Sequence, residues 1–143
     1  MNLKNKVIIV TGGSGLIGES IINNIRDCGG IAINGDLNPG DTNKLFYYKC
    51  DITNAESVNS FLNDVINKYG KIDGLVNNAY PRTKDWGNKF EDIELSSWKL
   101  NVDMQLNSCF FITQKVTEYM KINQSGSIVN IASIYGVVGS DFS

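Results

Sequence analysis

The residues best suited to chemistry sit where an apolar run breaks into a turn. Thr11-Gly12-Gly13-Ser14-Gly15-Leu16-Ile17-Gly18 follows the run Lys6–Thr11 and opens a helical pattern. Gly12 permits a tight turn off a strand, Gly15 lets the main chain approach a pyrophosphate, and Gly18 lets helix and strand pack closely. The N–H groups and dipole of the new helix then face an anion. Ser14, Leu16 and Ile17 share that turn and join the three glycines as candidate cofactor contacts. Asp36 stands eighteen positions after Gly18, at the end of a second apolar run. A carboxylate there accepts hydrogen bonds from both hydroxyls of an adenosine ribose and repels a 2′-phosphate. No Arg or Lys occupies positions 34 to 40, and position 13 is Gly, so nothing in reach neutralises such a phosphate. The expected cofactor is NAD rather than its phosphorylated form.

These groups need a scaffold that sets them side by side. Lys6–Thr11 holds the continuous, non-alternating apolar run Val7–Val10, the mark of a strand buried on both faces. Ile17, Ile21 and Ile25 recur every fourth residue and predict a helix from Gly15 to Cys28, stopped by Gly29-Gly30. Ile31–Ile33 predicts a second strand and Leu45–Tyr48 a third, with a loop over Leu37–Lys44 between them. Val58, Phe61, Leu62, Val65, Ile66 and Tyr69 predict a helix that Gly70 ends. Gly74–Asn77 reads as a fourth strand, and a long loop through Pro81 and Gly87 follows it on the substrate side. Ser96 or Ser97 caps a further helix running to Ile122, and Ser127–Ile131 is a fifth strand. Strands alternating with helical patterns of this length mean β-α-β units. The fold class is α/β, a Rossmann-type doubly wound parallel sheet in three α/β/α layers, one domain over residues 1–143.

Composition narrows the function. The 143 residues are 42% hydrophobic and 20% charged, ordinary globular values. Thirteen Lys and Arg against fifteen Asp and Glu leave a net charge of −2 with no basic cluster, which excludes nucleic acid as a partner. No apolar run approaches the roughly 20 residues of a membrane span, and Val7–Val10 follows Met1 too soon for a signal peptide. There is no His, so His-based triads and His-liganded metals drop out. Cys28, Cys50 and Cys109 lie far apart and read as small core residues with reduced thiols, which fits a cytoplasmic protein.

Several segments together resemble the short-chain dehydrogenase/reductase family, across essentially the whole chain. TGGSGLIG resembles its glycine-rich turn, except that Gly15 sits one position early and Leu16 takes the place of the middle glycine. Cys50-Asp51-Ile52-Thr53 resembles the segment whose Asp receives the adenine amino group, and Asn77-Asn78-Ala79 the N-N-A-G signature, with Tyr80 for the usual Gly. Ile128–Ser133 is similar to the strand that ends in the catalytic serine. The resemblance thus implies cofactor contacts at Asp51, Ile52, Asn78 and Ala79, and a catalytic role for Ser133. It also implies a helical amide beside the proton-relay water. Ungapped alignment gives that place to Gln105, whose amide has the same donor and acceptor one methylene further out, whereas a gap gives it to Asn101.

The family reaction moves a hydride between the nicotinamide and an alcohol or carbonyl carbon, with a tyrosine and a lysine in Y-x-x-x-K handling the proton. No such motif follows Ser133; Tyr135 is too near, and position 139 is Gly. The expectation is the amino-terminal part of an oxidoreductase without a competent proton relay, its fifth strand an exposed edge. Asn77–Arg82 and Ala132–Gly136 resemble a bacterial branch that modifies flagellin and surface polysaccharide, which implies a small sugar derivative as substrate. Tyr80 and Arg82 either touch that substrate or belong to the surface loop. The family resemblance further implies homo-oligomers built partly on the helix over Ser96–Ile122. The T-G-x-x-G-x-x-G spacing keeps an extended-branch nucleotide-sugar epimerase or dehydratase as an alternative, and a non-catalytic dinucleotide-binding module is another.

Overall fold

The computed structural model describes residues 2–40 and 46–138. Five parallel strands, β1 (Val7–Thr11), β2 (Ile31–Asp36), β3 (Tyr47–Lys49), β4 (Gly74–Asn77) and β5 (Ser127–Asn130), form one sheet in the order β3-β2-β1-β4-β5. Ile9 pairs with Ile33 on one side and Leu75 on the other. This row faces α2 (Ala55–Tyr69) and α4 (Ser108–Ile122), where Phe61, Leu62, Val65, Ile112 and Val116 close the larger core. Val10, Ala32 and Val76 point the other way, onto Ile22 and Ile25 of α1 (Leu16–Asp27). The chain is therefore a three-layer α/β/α fold. Burying each large side chain of these two clusters contributes about 1.5–3 kcal/mol.

Local signals explain most element ends. Asn54 caps α2 by accepting the Ser57 N–H at 2.9 Å, and Gly70 closes it at φ 72°, the left-handed geometry that glycine adopts without strain. At the base of the sheet the Asp73 carboxylate accepts the Val7 N–H at 2.9 Å and the Lys6 and Lys71 ammonium groups at 3.0 and 2.9 Å. Burial pushes the Asp73 carboxyl up, but the hydrogen bonds from Lys71, the Val7 N–H and Lys6 outweigh it and hold it below the usual carboxylate value.

Four expectations are corrected. The buried stripe of α1 is Gly18, Ile22 and Ile25, while Ile17 is 57% exposed. A step of four residues advances 400°, so a strict i, i+4 series drifts off the face that i, i+3 steps restore. The helix expected from Ser96 or Ser97 begins at Leu95 instead, its cap residue Glu94 making no side-chain cap bond. It is also not continuous: α3 (Leu95–Val102) passes through a π-helical turn at Asp103–Asn107 before α4 begins. The third strand is Tyr47–Lys49; Leu45, placed in it by sequence, lies outside the described residues. β5 pairs only with β4 among the described strands, and Val129 is 48% exposed, as expected of an edge.

Candidate functional site

β1 is flanked by β2, reached through α1, and by β4, reached later in the chain. The direction of winding reverses there, and a crevice opens beyond the carboxyl ends of the strands. A cleft of about 450 Å³ occupies it, lined by Gly12, Gly15, Leu16, Ile17 and Gly18 on one wall. Asp36, Asp51, Ile52, Asn78 and Ala79 line the rest, joined by Gly35, Leu37, Cys50, Tyr80 and Pro81, which sequence reasoning did not single out for this cleft.

The turn at Gly12 is set by two short approaches. Gly12 has φ +65°, and a Cβ there would lie 2.8 Å from the Ala79 Cα. A Cβ on Gly18 would collide with the Gly12 carbonyl oxygen and lie 2.7 Å from the Gly13 Cα. The first hydrogen bond of α1 runs from the Glu19 N–H to the Gly15 carbonyl at 2.8 Å. The N–H groups of Leu16, Ile17 and Gly18 precede it and have no acceptor one turn back. Leu16 is 91% exposed, apolar surface left bare where the helix begins.

A strut the sequence did not reveal fastens β4 to this turn. Thr11 is buried, and its hydroxyl accepts the N–H groups of Asn78 at 3.0 Å and Ala79 at 3.1 Å. The Asn78 side-chain amide donates to the carbonyls of Thr11 and Gly12, both at 3.0 Å. Ser14 is not among the residues that line the cleft. Its hydroxyl donates to the Asn38 carbonyl at 2.6 Å and accepts the Asn34 amide at 2.9 Å, away from the cleft. Its N–H donates to Asp36 Oδ2 at 3.0 Å, so Ser14 braces that carboxylate at the rim. Asp51 accepts the Thr53 N–H and hydroxyl at 2.9 and 2.7 Å. Burial, with Asp51 and Asp36 adding to it, pushes the Cys50 thiol up to about 12.

A second cavity of about 420 Å³ adjoins the first, sharing Ile17, Ile52, Asn78, Ala79 and Tyr80 with it. Gln105, Cys109, Asn130 and Ser133 line it. The π-helical turn carries Gln105, whose Nε2 donates to the Pro81 carbonyl at 3.2 Å. Asn101 is instead 2% exposed and spends its amide on Thr83 and the Ser97 carbonyl. Ser133 caps the short turn Ile134–Gly136 by accepting the Tyr135 N–H at 3.2 Å. In the wall of this cavity, Asn77 donates to Asn130 Oδ1 at 2.8 Å, joining β4 to β5. Burial also raises the Cys109 thiol, whose sulfur lies 3.7 Å from Asn130 Oδ1. Tyr80 and Lys84 repeat the Y-x-x-x-K spacing, but residues 81–83 are not helical, so that spacing does not bring them to one face. No Lys or Arg lines either cavity among the described residues.

This geometry has relatives. The sequence model described as short chain dehydrogenase matches residues 6–143. The chain belongs to that family. It is 33% identical to post-translational flagellin modification protein A of Campylobacter coli, over 98% of this chain and 60% of that protein. It is also 33% identical to sorbitol-6-phosphate 2-dehydrogenase of Klebsiella pneumoniae, over 99% of this chain and 57% of that protein. A short chain dehydrogenase from Leptospira borgpetersenii, solved with bound NAD+, superposes with a TM-score of 0.86 at 26% identity, covering 98% of this short-chain dehydrogenase chain and 56% of its own. The chain spans less than two thirds of the length of these relatives.

Proposed function

We propose that the protein is an NAD-dependent oxidoreductase that moves a hydride between the nicotinamide and an alcohol or carbonyl carbon of a small molecule, and that these residues form its cofactor half. The observation that carries this reading is the joining of an open helix start and the Asp36 carboxylate on one 450 Å³ cleft. NAD, when bound, supplies or accepts the hydride. The N–H groups of Leu16, Ile17 and Gly18 hold the pyrophosphate, with Gly15 giving the room to approach. Asp36 accepts the adenosine ribose hydroxyls, and Asp51 with Ile52 flanks the adenine. Asn78 and Ala79 keep the turn and the fourth strand in register beneath the cofactor. In the second cavity Ser133 holds the substrate oxygen and Gln105 orients a relay water. The relatives named for sorbitol 6-phosphate and for flagellin modification support a sugar derivative as substrate.

Two further readings belong to the same proposal. Trp98 and Val102 of α3, Leu106 of the π-helical turn and Phe110 of α4 are all exposed, which supports self-association through this stretch. The three cysteines are free, and no helix among the described residues is long and apolar enough to cross a membrane. The free thiols support a reducing, cytoplasmic setting.

The selectivity test compares NADH and NADPH. The wild-type chain should prefer NADH, and Asp36→Ala should erase the preference; tighter binding of NADPH by the wild type would overturn the reading.

A further inference from the structure

The loop between β4 and α3 holds one side chain that the dinucleotide reading leaves unused. Gln105 Nε2 donates to the Pro81 carbonyl at 3.2 Å. Asn101 accepts the Thr83 N–H at 3.0 Å and donates to the Thr83 hydroxyl at 2.7 Å. The backbone is therefore tied on both sides of Arg82. Asn101 is almost fully buried, so releasing its tie leaves unpaired polar groups in a dry place.

The side chain between these ties is also oriented. The Arg82 guanidinium carbon lies 5.8 Å from the centroid of the Tyr80 ring. Tyr80 in turn meets Trp86 edge-on, with centroids 6.1 Å apart. Tyr80 is one of the five residues that line both cavities, and Arg82 lies over its ring. The charged groups lining the cofactor cleft are Asp36 and Asp51, and none lines the reaction-side cavity among the described residues. The ion pairs of the described residues use Lys6, Lys71 and Lys115 and leave Arg82 without a carboxylate.

A guanidinium is a planar fork that matches a carboxylate or phosphate with two parallel hydrogen bonds, and stacking on an aromatic face leaves its N–H edge free to do so. A loop tied at both neighbours presents that fork in a fixed place, which lowers the entropy lost on binding. We infer that Arg82 is a specificity-determining residue that receives an anionic group, carboxylate or phosphate, on the substrate beside the ring of Tyr80, which lines the reaction-side cavity. The inference rests on the dinucleotide reading only in taking that cavity as the place where substrate meets the cofactor.

Three probes of matched ring size test it: glucose, glucuronate and glucose 6-phosphate, titrated calorimetrically into the full chain with and without saturating NADH. At least one anionic sugar should bind about tenfold more tightly than glucose, the gain expected of one charge-assisted contact. Which of the two does so identifies the anion. Arg82→Gln should remove the preference and leave NADH affinity unchanged, whereas Lys84→Gln, a cation of the same loop, should keep it. Equal response to all three probes, no response to any, or a preference that survives Arg82→Gln overturns the inference. So does a loss of NADH affinity in Arg82→Gln, which would assign the guanidinium to the cofactor's phosphates. Failure of the wild-type chain to bind NADH would sink the dinucleotide reading instead, and the arm without NADH still reads the anion preference.

Discussion

Adding one methyl at Gly18 and one at Gly15 separates what builds the phosphate turn from what binds to it. At Gly18 the methyl would meet the Gly12 carbonyl oxygen, the Gly13 Cα at 2.7 Å and the Asn78 amide nitrogen at 2.9 Å. Two of these atoms are backbone and cannot rotate away, so α1 must shift off the turn. Overpacking of this kind costs about 1–3 kcal/mol. At Gly15 the backbone has φ −82°, open to any residue, and the nearest atom to a new Cβ is the Gly12 oxygen at 3.5 Å, an ordinary contact. Gly15→Ala should therefore fold as the wild type does, while its methyl enters the cleft proposed to receive the diphosphate. Urea unfolding with and without NADH reads both effects. At an NADH concentration 100 times the wild-type Kd, the ligand adds about 2.7 kcal/mol of stability. A tenfold weaker Gly15→Ala would gain about 1.4 kcal/mol at the same concentration. Gly18→Ala should lose stability even without ligand. A Gly18→Ala protein as stable as wild type, or a Gly15→Ala protein with the full NADH gain, would refute the reasoning.

Other consequences follow from groups away from the turn. Asp73→Ala strands the Val7 N–H and should cost about 1–3 kcal/mol at neutral pH. The Asp73 carboxyl is held below its ordinary value, so its contribution is present above the unfolded-state value and lost as pH falls through the folded one; the gap between wild-type and Asp73→Ala denaturation curves should narrow in acid. A gap that widens in acid would contradict this. Cys50, buried and pushed up to about 12, should react with a thiol reagent at pH 8 only after unfolding, later than Cys28 and Cys109, as mass spectrometry of the labelled chain would read. Phe110→Asp should shift sedimentation toward a smaller species if the exposed apolar stretch from Trp98 to Phe110 joins copies; an unchanged sedimentation coefficient in an associating wild type would exclude that surface.

What the sequence disclosed depended on how local its cause was. β4 was legible residue for residue as a short segment around Leu75 and Val76, and α2 because its apolar period is strict and Gly70 marks its stop. The glycine turn was legible because its demands are steric. Ser14 was not, since its hydroxyl answers to Asn38 and Asn34, partners set by the return of β2 and its loop rather than by neighbours in sequence. Thr11 stood in plain view in the motif, but its role depends on β4 arriving beside it. The π-helical turn leaves no trace in a hydrophobic period, yet it carries Gln105, the residue tied to the Pro81 carbonyl, while Asn101 is buried beneath the loop.

The account stands on the bare N–H groups at the start of α1 and the carboxylate of Asp36 receiving one nicotinamide dinucleotide. Isothermal calorimetry of the folded chain against NADH tests this directly, and it should show saturable binding at one site per chain. A folded sample that gives no heat with NADH or NADPH would contradict it.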